Sequence, residues 1–218
     1  AAATFAIVVL LSATSGIVDA VAFARFGVFV ANQTGNLVIV ALSLAKEQPI
    51  ETQIASVLAL VTFTVGVFAA VLVRRQLLKR MQQARVRVVL LSTEAALIAL
   101  TGLGVVIWGN ERFAYVAVVM LSLSQAIQAA VVTRIIGLAV QTVVINTALV
   151  QSAEAWALGR RRAAAIAFGT PIGYLIGAFT GALLLRFPPP TALLSALVTA
   201  AAALAIAHAI RVRGARIE

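Results

Sequence analysis

Ser15 to Leu37 reads SGIVDAVAFARFGVFVANQTGNL. The stretch lies within hydrophobic sequence, yet it carries Asp19, Arg25, Asn32, Gln33, Thr34 and Asn36, with Gly16, Gly27 and Gly35 spaced among them. A polar group left without a partner in hydrocarbon costs on the order of 2 to 7 kcal/mol. So many of them in one apolar run require partners from the protein itself, which puts the stretch inside a helical bundle and off its lipid face.

Composition sets the surroundings. Hydrophobic residues make up 62% of the 218 positions and charged ones 11%, against about 25% charged in a soluble domain. Apolar windows of about 20 residues, enough to cross a ~30 Å hydrocarbon core as helices, recur along the chain with short polar connectors between them. The reading is an all-α, polytopic membrane bundle with no separate soluble domain. A net charge of +10 raises the question of nucleic acid. The basic residues, however, fall mainly in three clusters, 74–87, 160–162 and 211–216, each abutting the end of an apolar segment. That is the pattern of cytoplasmic loops under the positive-inside rule, and no nucleic-acid partner is expected. With no cysteine, disulfides, thiolate metal sites and cysteine nucleophiles are excluded. The first apolar segment carries Asp19 and no basic leader, so it reads as a membrane segment rather than a signal peptide.

The chain repeats its plan. The polar-interrupted unit 4–45, an apolar segment 53–73, the basic loop 74–87, a segment 88–108 containing Glu94 and the turn GNER at 109–112 form a first half, residues 1–112. A unit 113–158, the run GRRR, a segment 163–185, the turn RFPPP and a segment 191–210 form a second half, residues 113–218. SGIVDA at 15–20 aligns with SQAIQA at 124–129, an arginine follows six positions after Asp19 and after Gln128, and TGNL at 34–37 aligns with NTAL at 146–149. These matches indicate an internal duplication.

Charge then fixes the topology. If each polar-interrupted unit crossed an even number of times, the basic clusters at 74–87 and 160–162 would lie on opposite faces. With odd numbers all three clusters share one face, and only Lys46, Arg112 and Arg186 lie on the other. The expectation is therefore two inverted repeats, six net crossings and both termini cytoplasmic. A unit of this length making one net crossing must contain a broken or re-entrant piece, for which NQTGN and INTA are the natural places, since Gly and Asn accept left-handed backbone angles.

DAVAFARFGVFVANQTGNLV, with its second-half counterpart SQAIQAAVVTRIIGLAVQTVVINTALV, resembles the YoaK family, also called DUF1275, a group of bacterial membrane proteins of about this length. FVANQTGNL is the most specific piece. The second half departs from the family pattern, with SQAIQA where relatives read close to GLQNA and NTAL in place of a TG-T-L motif. The resemblance implies residence in the bacterial inner (cytoplasmic) membrane and carries no settled activity.

The candidate chemistry is sparse. Asp19, the chain's only aspartate, is a candidate proton-coupling group, because a desolvated carboxyl can exchange a proton near neutral pH; the alternative is a bond to Arg25 or Arg134. Arg25 and Arg134 occupy equivalent places in the repeats and would suit an anion, or would simply snorkel to the interface. Asn32, Gln33, Thr34 and Asn36, with Gln128, Gln141, Asn146 and Thr147, form two uncharged hydrogen-bonding sets, readable as a solute site at a repeat interface or as interhelical glue. Glu94 is a second candidate proton site, or a partner for the nearby basic loop. His208 reads as interfacial. Gly169, Gly173, Gly177 and Gly181 draw a stripe for close helix packing, within the fold or across a homodimer.

No metal cluster, cofactor motif or catalytic constellation can be read from the spacing, so no enzyme is expected. The partners expected are the lipid bilayer and a small polar or anionic solute. A transporter of that solute, working by alternating access with proton coupling, is the first reading. A passive channel on the same scaffold and a non-transporting scaffold or sensor are the alternatives.

Overall fold

The computed structural model describes residues 2–45, 49–132, 145–188 and 190–214. These form seven helices and, among the described residues, no strand: α1 (Ala2–Phe26), α2 (Gln33–Leu44), α3 (Ile50–Leu78), α4 (Gln83–Val132), α5 (Ile145–Ala157), α6 (Arg161–Leu184) and α7 (Pro190–Gly214). Five of them are long and apolar enough to cross a membrane.

Helix α4 spans 50 residues, which would measure about 75 Å if straight, more than twice the hydrocarbon thickness. It is not straight. Gly109 leaves helical geometry at φ 77°, ψ 164°, and beyond it the Phe113 ring lies against Gly104 and stacks on Trp108 at 5.5 Å. Ile98 shares a core cluster with Leu121, and Leu90 shares another with Val131. Such contacts arise only if the element folds back on itself, so α4 is a hairpin whose arms, 83–108 and 110–132, meet at the GNER turn. The basic stretch at 74–87 is shorter as a loop than its charges suggest: α3 runs on to Leu78 and α4 starts at Gln83, so most of its arginines ride on helix ends.

Helix α1 is the centre of the bundle. Its strongly apolar sequence is 72% buried, against 22% for the apolar window of α3, as expected of a helix that is hydrophobic all round. It packs on α6, α7 and α4, while α2 packs on α3 and α5 on α6. On the outside, α3 shows Val61, Val65, Phe68 and Leu72, and α6 shows Leu175 and Phe179. Continuous apolar stripes of this kind suit lipid, not water.

The closest approach is between α1 and α6, and the glycine stripe makes it. A Cβ on Gly173 would overlap the Val9 carbonyl, one on Gly177 the Ala13 carbonyl, and one on Gly181 would lie 3.0 Å from the Ile17 carbonyl. From the other side, Gly16 faces the Tyr174 carbonyl and would put its Cβ 2.7 Å from the Ala178 nitrogen. The stripe thus packs within the fold, and at Gly173, Gly177 and Gly181 its obstacles include backbone atoms that cannot swing aside, while Gly169 meets the side chains of Phe5 and Val9. Gly66 of α3 does the corresponding service for the second arm of α4, where an added Cβ would lie 2.8 Å from Ala126 Cβ and 3.1 Å from Leu123 Cδ2.

Gly177→Ala should therefore push α6 off α1 and cost about 1 to 3 kcal/mol, the usual range for overpacking. Gly159→Ala, at a site where a Cβ meets nothing but φ is +69°, should cost about 1 to 2 kcal/mol from backbone strain alone. Thermal melts of the detergent-purified variants check both, and only the first should also loosen the Tyr174 contact described next.

Candidate functional site

The break between α1 and α2 is built from the polar residues of the opening stretch. Helix α1 ends at Gly27, whose N–H closes on the Phe23 carbonyl at 2.9 Å and whose φ of 70° is the left-handed value favoured by glycine after a helix. The chain then runs irregularly to Asn32, with Val28, Val30 and Ala31 buried. Buried backbone that is neither helix nor sheet needs side-chain partners, and here they can be named. Asp19 Oδ1 accepts the N–H groups of Val30 and Ala31, both at 2.7 Å. Asn36 grips Phe29 twice, its Oδ1 accepting the N–H at 2.9 Å and its Nδ2 donating to the carbonyl at 2.6 Å. Gln33 Nε2 donates to the Val30 carbonyl at 3.0 Å, and Asn36 Nδ2 also donates to Gln33 Oε1 at 3.0 Å. Asn32 then caps α2, its side chain accepting the Gly35 N–H at 3.3 Å.

Asp19 is 1% exposed. Its second oxygen accepts the Tyr174 hydroxyl of α6 at 2.6 Å, a length typical of a charge-assisted hydrogen bond. The carboxylate is thus tied to α6 and to the broken segment, and the bond to Arg25 read as one alternative from the sequence is not made: the Arg25 guanidinium is exposed and donates to the Leu185 carbonyl at 3.4 Å. Tyr174 was not legible as a site residue. Its signal is that it is the one hydroxyl-bearing aromatic beside the glycine stripe, carried into range by the close α1–α6 approach.

A second polar set lies deeper along α1. Ser15 Oγ donates to Gln125 Oε1 at 2.7 Å, while Gln128 Nε2 donates to Ser15 Oγ at 2.9 Å and to the Leu11 carbonyl at 3.0 Å. Thr14 and Thr199 hydroxyls meet at 2.8 Å. These residues form a polar layer between two apolar clusters, one containing Ile17, Ile98, Leu121 and Ala196, the other Leu11, Leu90, Val131 and Ala203. Glu94 lies on the first arm of α4 between Leu90 and Ile98, fully buried, and neither of its oxygens has a hydrogen-bond partner among the described residues. The expected pairing of Glu94 with the basic loop is therefore absent: the carboxyl points into the core, a full helical turn or more from the arginines at the end of the arm. Ser12 Oγ, Ser122 Oγ and Gln125 Nε2 are likewise buried without partners.

The structure brings together Asp19, Gln33 and Asn36 at the break, with Asn32 at its edge. Gln128 belongs to the deeper layer, one turn along α1. Thr34 and Asn146 are exposed and Thr147 is half-buried near the start of α5. Arg134 and Gln141 lie outside the described residues.

A bundle of long apolar helices, apolar on its outside and polar in part of its interior, defines an integral membrane protein. The chain matches the family described as "Protein of unknown function (DUF1275)" over residues 7–210, and it belongs to that family. No curated protein and no solved structure matches it.

Asp19→Ala would strand two buried N–H groups and the Tyr174 hydroxyl, each costing about 1 to 3 kcal/mol. Asp19→Asn keeps an acceptor for the backbone pair and should be much milder. Hydrogen exchange read at Val30 and Ala31 should accelerate strongly in the first variant and little in the second. Equal exchange in both would mean that these hydrogen bonds do not hold the break.

Proposed function

We propose that the chain is a small inner-membrane transporter that moves a small polar or anionic solute by alternating access between two inverted halves, residues 1–112 and 113–218. The observation that carries the reading is the polar layer. Buried polar groups in native proteins are nearly always paired, and a partly paired layer is less stable than an apolar core of the same shape. Glu94 and Gln125 break that rule together at one depth of the bundle, with Ser122 and Ser12 unpaired about a turn to either side. A layer that contributes so little to stability is accounted for if the groups find partners in another conformation or on a passing solute.

The packing pattern supports inversion. If α1 corresponds to the second arm of α4, α2 to α5, α3 to α6 and the first arm to α7, the contacts occur in equivalent pairs. Helix α1 packs on α6 as the second arm packs on α3 through Gly66, and α2 packs on α3 as α5 packs on α6. Counting the hairpin arms separately then gives six crossings, with the turns at 79–82 and 158–160 and both termini on the cytoplasmic face. On this reading the saturated break of Asp19, Gln33 and Asn36 is the frame of the site. Arg25, Asn32 and Thr34 stand at its mouth, where a positive charge and free hydrogen-bonding groups suit an anion. Gln128, together with Arg134, Gln141, Asn146 and Thr147 of the second half, completes the solute-binding set.

The saturation of the break also favours a second reading, a scaffold whose polar residues serve packing alone. Thermal stability against a panel of anions and polar metabolites separates the two. A ligand of the folded state adds about 2.7 kcal/mol at 100 times its dissociation constant, and a hit should translate into saturable flux in proteoliposomes. Fast, unsaturable flux would indicate a channel, and the absence of any hit or flux the scaffold.

Topology can be tested cleanly because the chain has no cysteine. Single cysteines at Asn110 and Phe187 should react with a membrane-impermeant maleimide from outside intact cells. Cysteines at Gln82 and Arg160 should react only after permeabilisation. A different partition would overturn six crossings or the inversion.

A further inference from the structure

Glu94 stands apart from the other ionisable groups among the described residues. On the first arm of α4 it shares one buried face with Leu90, Leu91, Ile98 and Thr101, and neither of its oxygens has a hydrogen-bond partner among the described residues. The hairpin register sets its level. Ile98 meets the cluster of Leu121 and Leu90 that of Val131, so Glu94, midway between the first pair, lies at the depth of residues 125–127 on the returning arm. Gln125 is at that depth, fully buried, with its Oε1 taken by Ser15 and its Nε2 donating to nothing. An acceptor pair without donors and a donor without an acceptor thus occupy one depth of the core without being bonded to each other.

The other charged and titratable groups on the elements around it stand elsewhere. On α1, Asp19 is held by Tyr174 and the broken segment, and Tyr174 is thereby taken as well. On the arm of Glu94 itself the nearest is Arg87, about two turns toward the helix start, where it lines a small surface pocket with Arg74 and Gln83. The returning arm offers Glu111, Arg112 and Tyr115 among its described residues, all at or near the GNER turn. Helix α3 has none between Glu51 and Arg74, and on α7 His208 follows Thr199 by nine residues. An ionised carboxylate in such surroundings would have neither a bonded donor nor a counter-charge among the described residues, and the uncompensated burial of a charge is the costliest arrangement a core can contain.

We infer that Glu94 is a proton-binding site: it carries a proton in this arrangement and releases it in a conformation that brings a donor to its carboxylate. The donor is already at its depth, namely the Gln125 amide. On release the O–H bond breaks, the electron pair stays on the Glu94 oxygen, and the proton passes to water on whichever side is open. The dense surroundings favour a proton over a metal cation, which would need several oxygen ligands and room for them. Its role in driving a solute rests on the transport reading above; the binding of the proton does not.

The test is infrared spectroscopy of the purified full chain in lipid nanodiscs at neutral pH, in H2O and D2O. The expected result is a protonated-carboxyl C=O stretch that is lost in Glu94→Gln, retained in Asp19→Asn and moved in frequency in Glu94→Asp, which keeps the carboxyl should the glutamine variant fold poorly. Absence of such a band in the wild type, its survival in Glu94→Gln, or its disappearance on adding sodium at constant pH would overturn the inference, the last by making the site one for a cation. In proteoliposomes, Glu94→Gln should abolish the proton uptake that accompanies solute entry. If no solute moves in any variant, the transport reading falls and the band still decides the proton site.

Discussion

The hydrogen bonds from the Val30 and Ala31 N–H groups to Asp19 Oδ1 are the constraint on which the architecture rests. They let a membrane bundle contain a stretch of backbone that is neither helical nor wet, which lipid-facing structure never tolerates. The arrangement is conditional on other contacts. Asp19 is oriented by Tyr174, and Tyr174 reaches it only because glycines on both helices bring α6 against α1. A methyl group on Gly177 therefore acts at a distance: it separates two helices, moves a hydroxyl and frees the carboxylate that holds the break. Packing, capping and charge are here links of one chain.

The interior polar groups fall into two populations that composition alone would lump together. Around the break, donors and acceptors are matched almost one to one, down to the Phe29 backbone held at both ends by Asn36. In the deeper layer the matching fails. Ser15 satisfies Gln125 on one side and Gln128 on another, while Glu94 and Ser12 have no hydrogen-bond partners among the described residues. A matched network in a low-dielectric core rigidifies what it connects, and an unmatched one leaves alternatives close in energy. The first population suits a frame and the second suits a moving part.

Much of this was legible before any coordinates. The density of polar residues and glycines in 15–37 marked the break, because nothing else explains amides and a carboxylate in an apolar run. The four-residue spacing of Gly169 to Gly181 marked a close helix contact, and GNER marked the reversal that the hairpin of α4 makes. The partners were not legible. Arg25 seemed available to Asp19 by sequence distance, yet two turns of helix separate their side chains, and Tyr174, 155 residues away, is the group that packing delivers. Glu94 failed for the same reason in reverse. Its nearness to basic residues along the chain suggested an ion pair, whereas the rotation of its helix turns it inward and leaves the arginines at the end of the arm. Periodicity says which residues share a face; it does not say which face meets which neighbour.

The contrast between the two populations also limits how the protein can move. The α1–α2 unit, locked by Asp19 and Asn36, can shift only as a body, since opening it would expose several backbone groups at once to hydrocarbon. The contact of α1 with α6 is made largely of glycines and backbone carbonyls, smooth along the helix axis but tied at Tyr174, so the two halves can part there only once that hydrogen bond is released. Glu94 and Gln125, unmatched at one depth, lie on the two arms of α4, where the two halves also meet. Replacing Glu94 by leucine would remove an unpaired buried carboxyl and on stability alone should be neutral or favourable. That a glutamate stands there, with an amide donor at the same depth and unbonded to it, is intelligible if the interface has a second arrangement in which the two are joined.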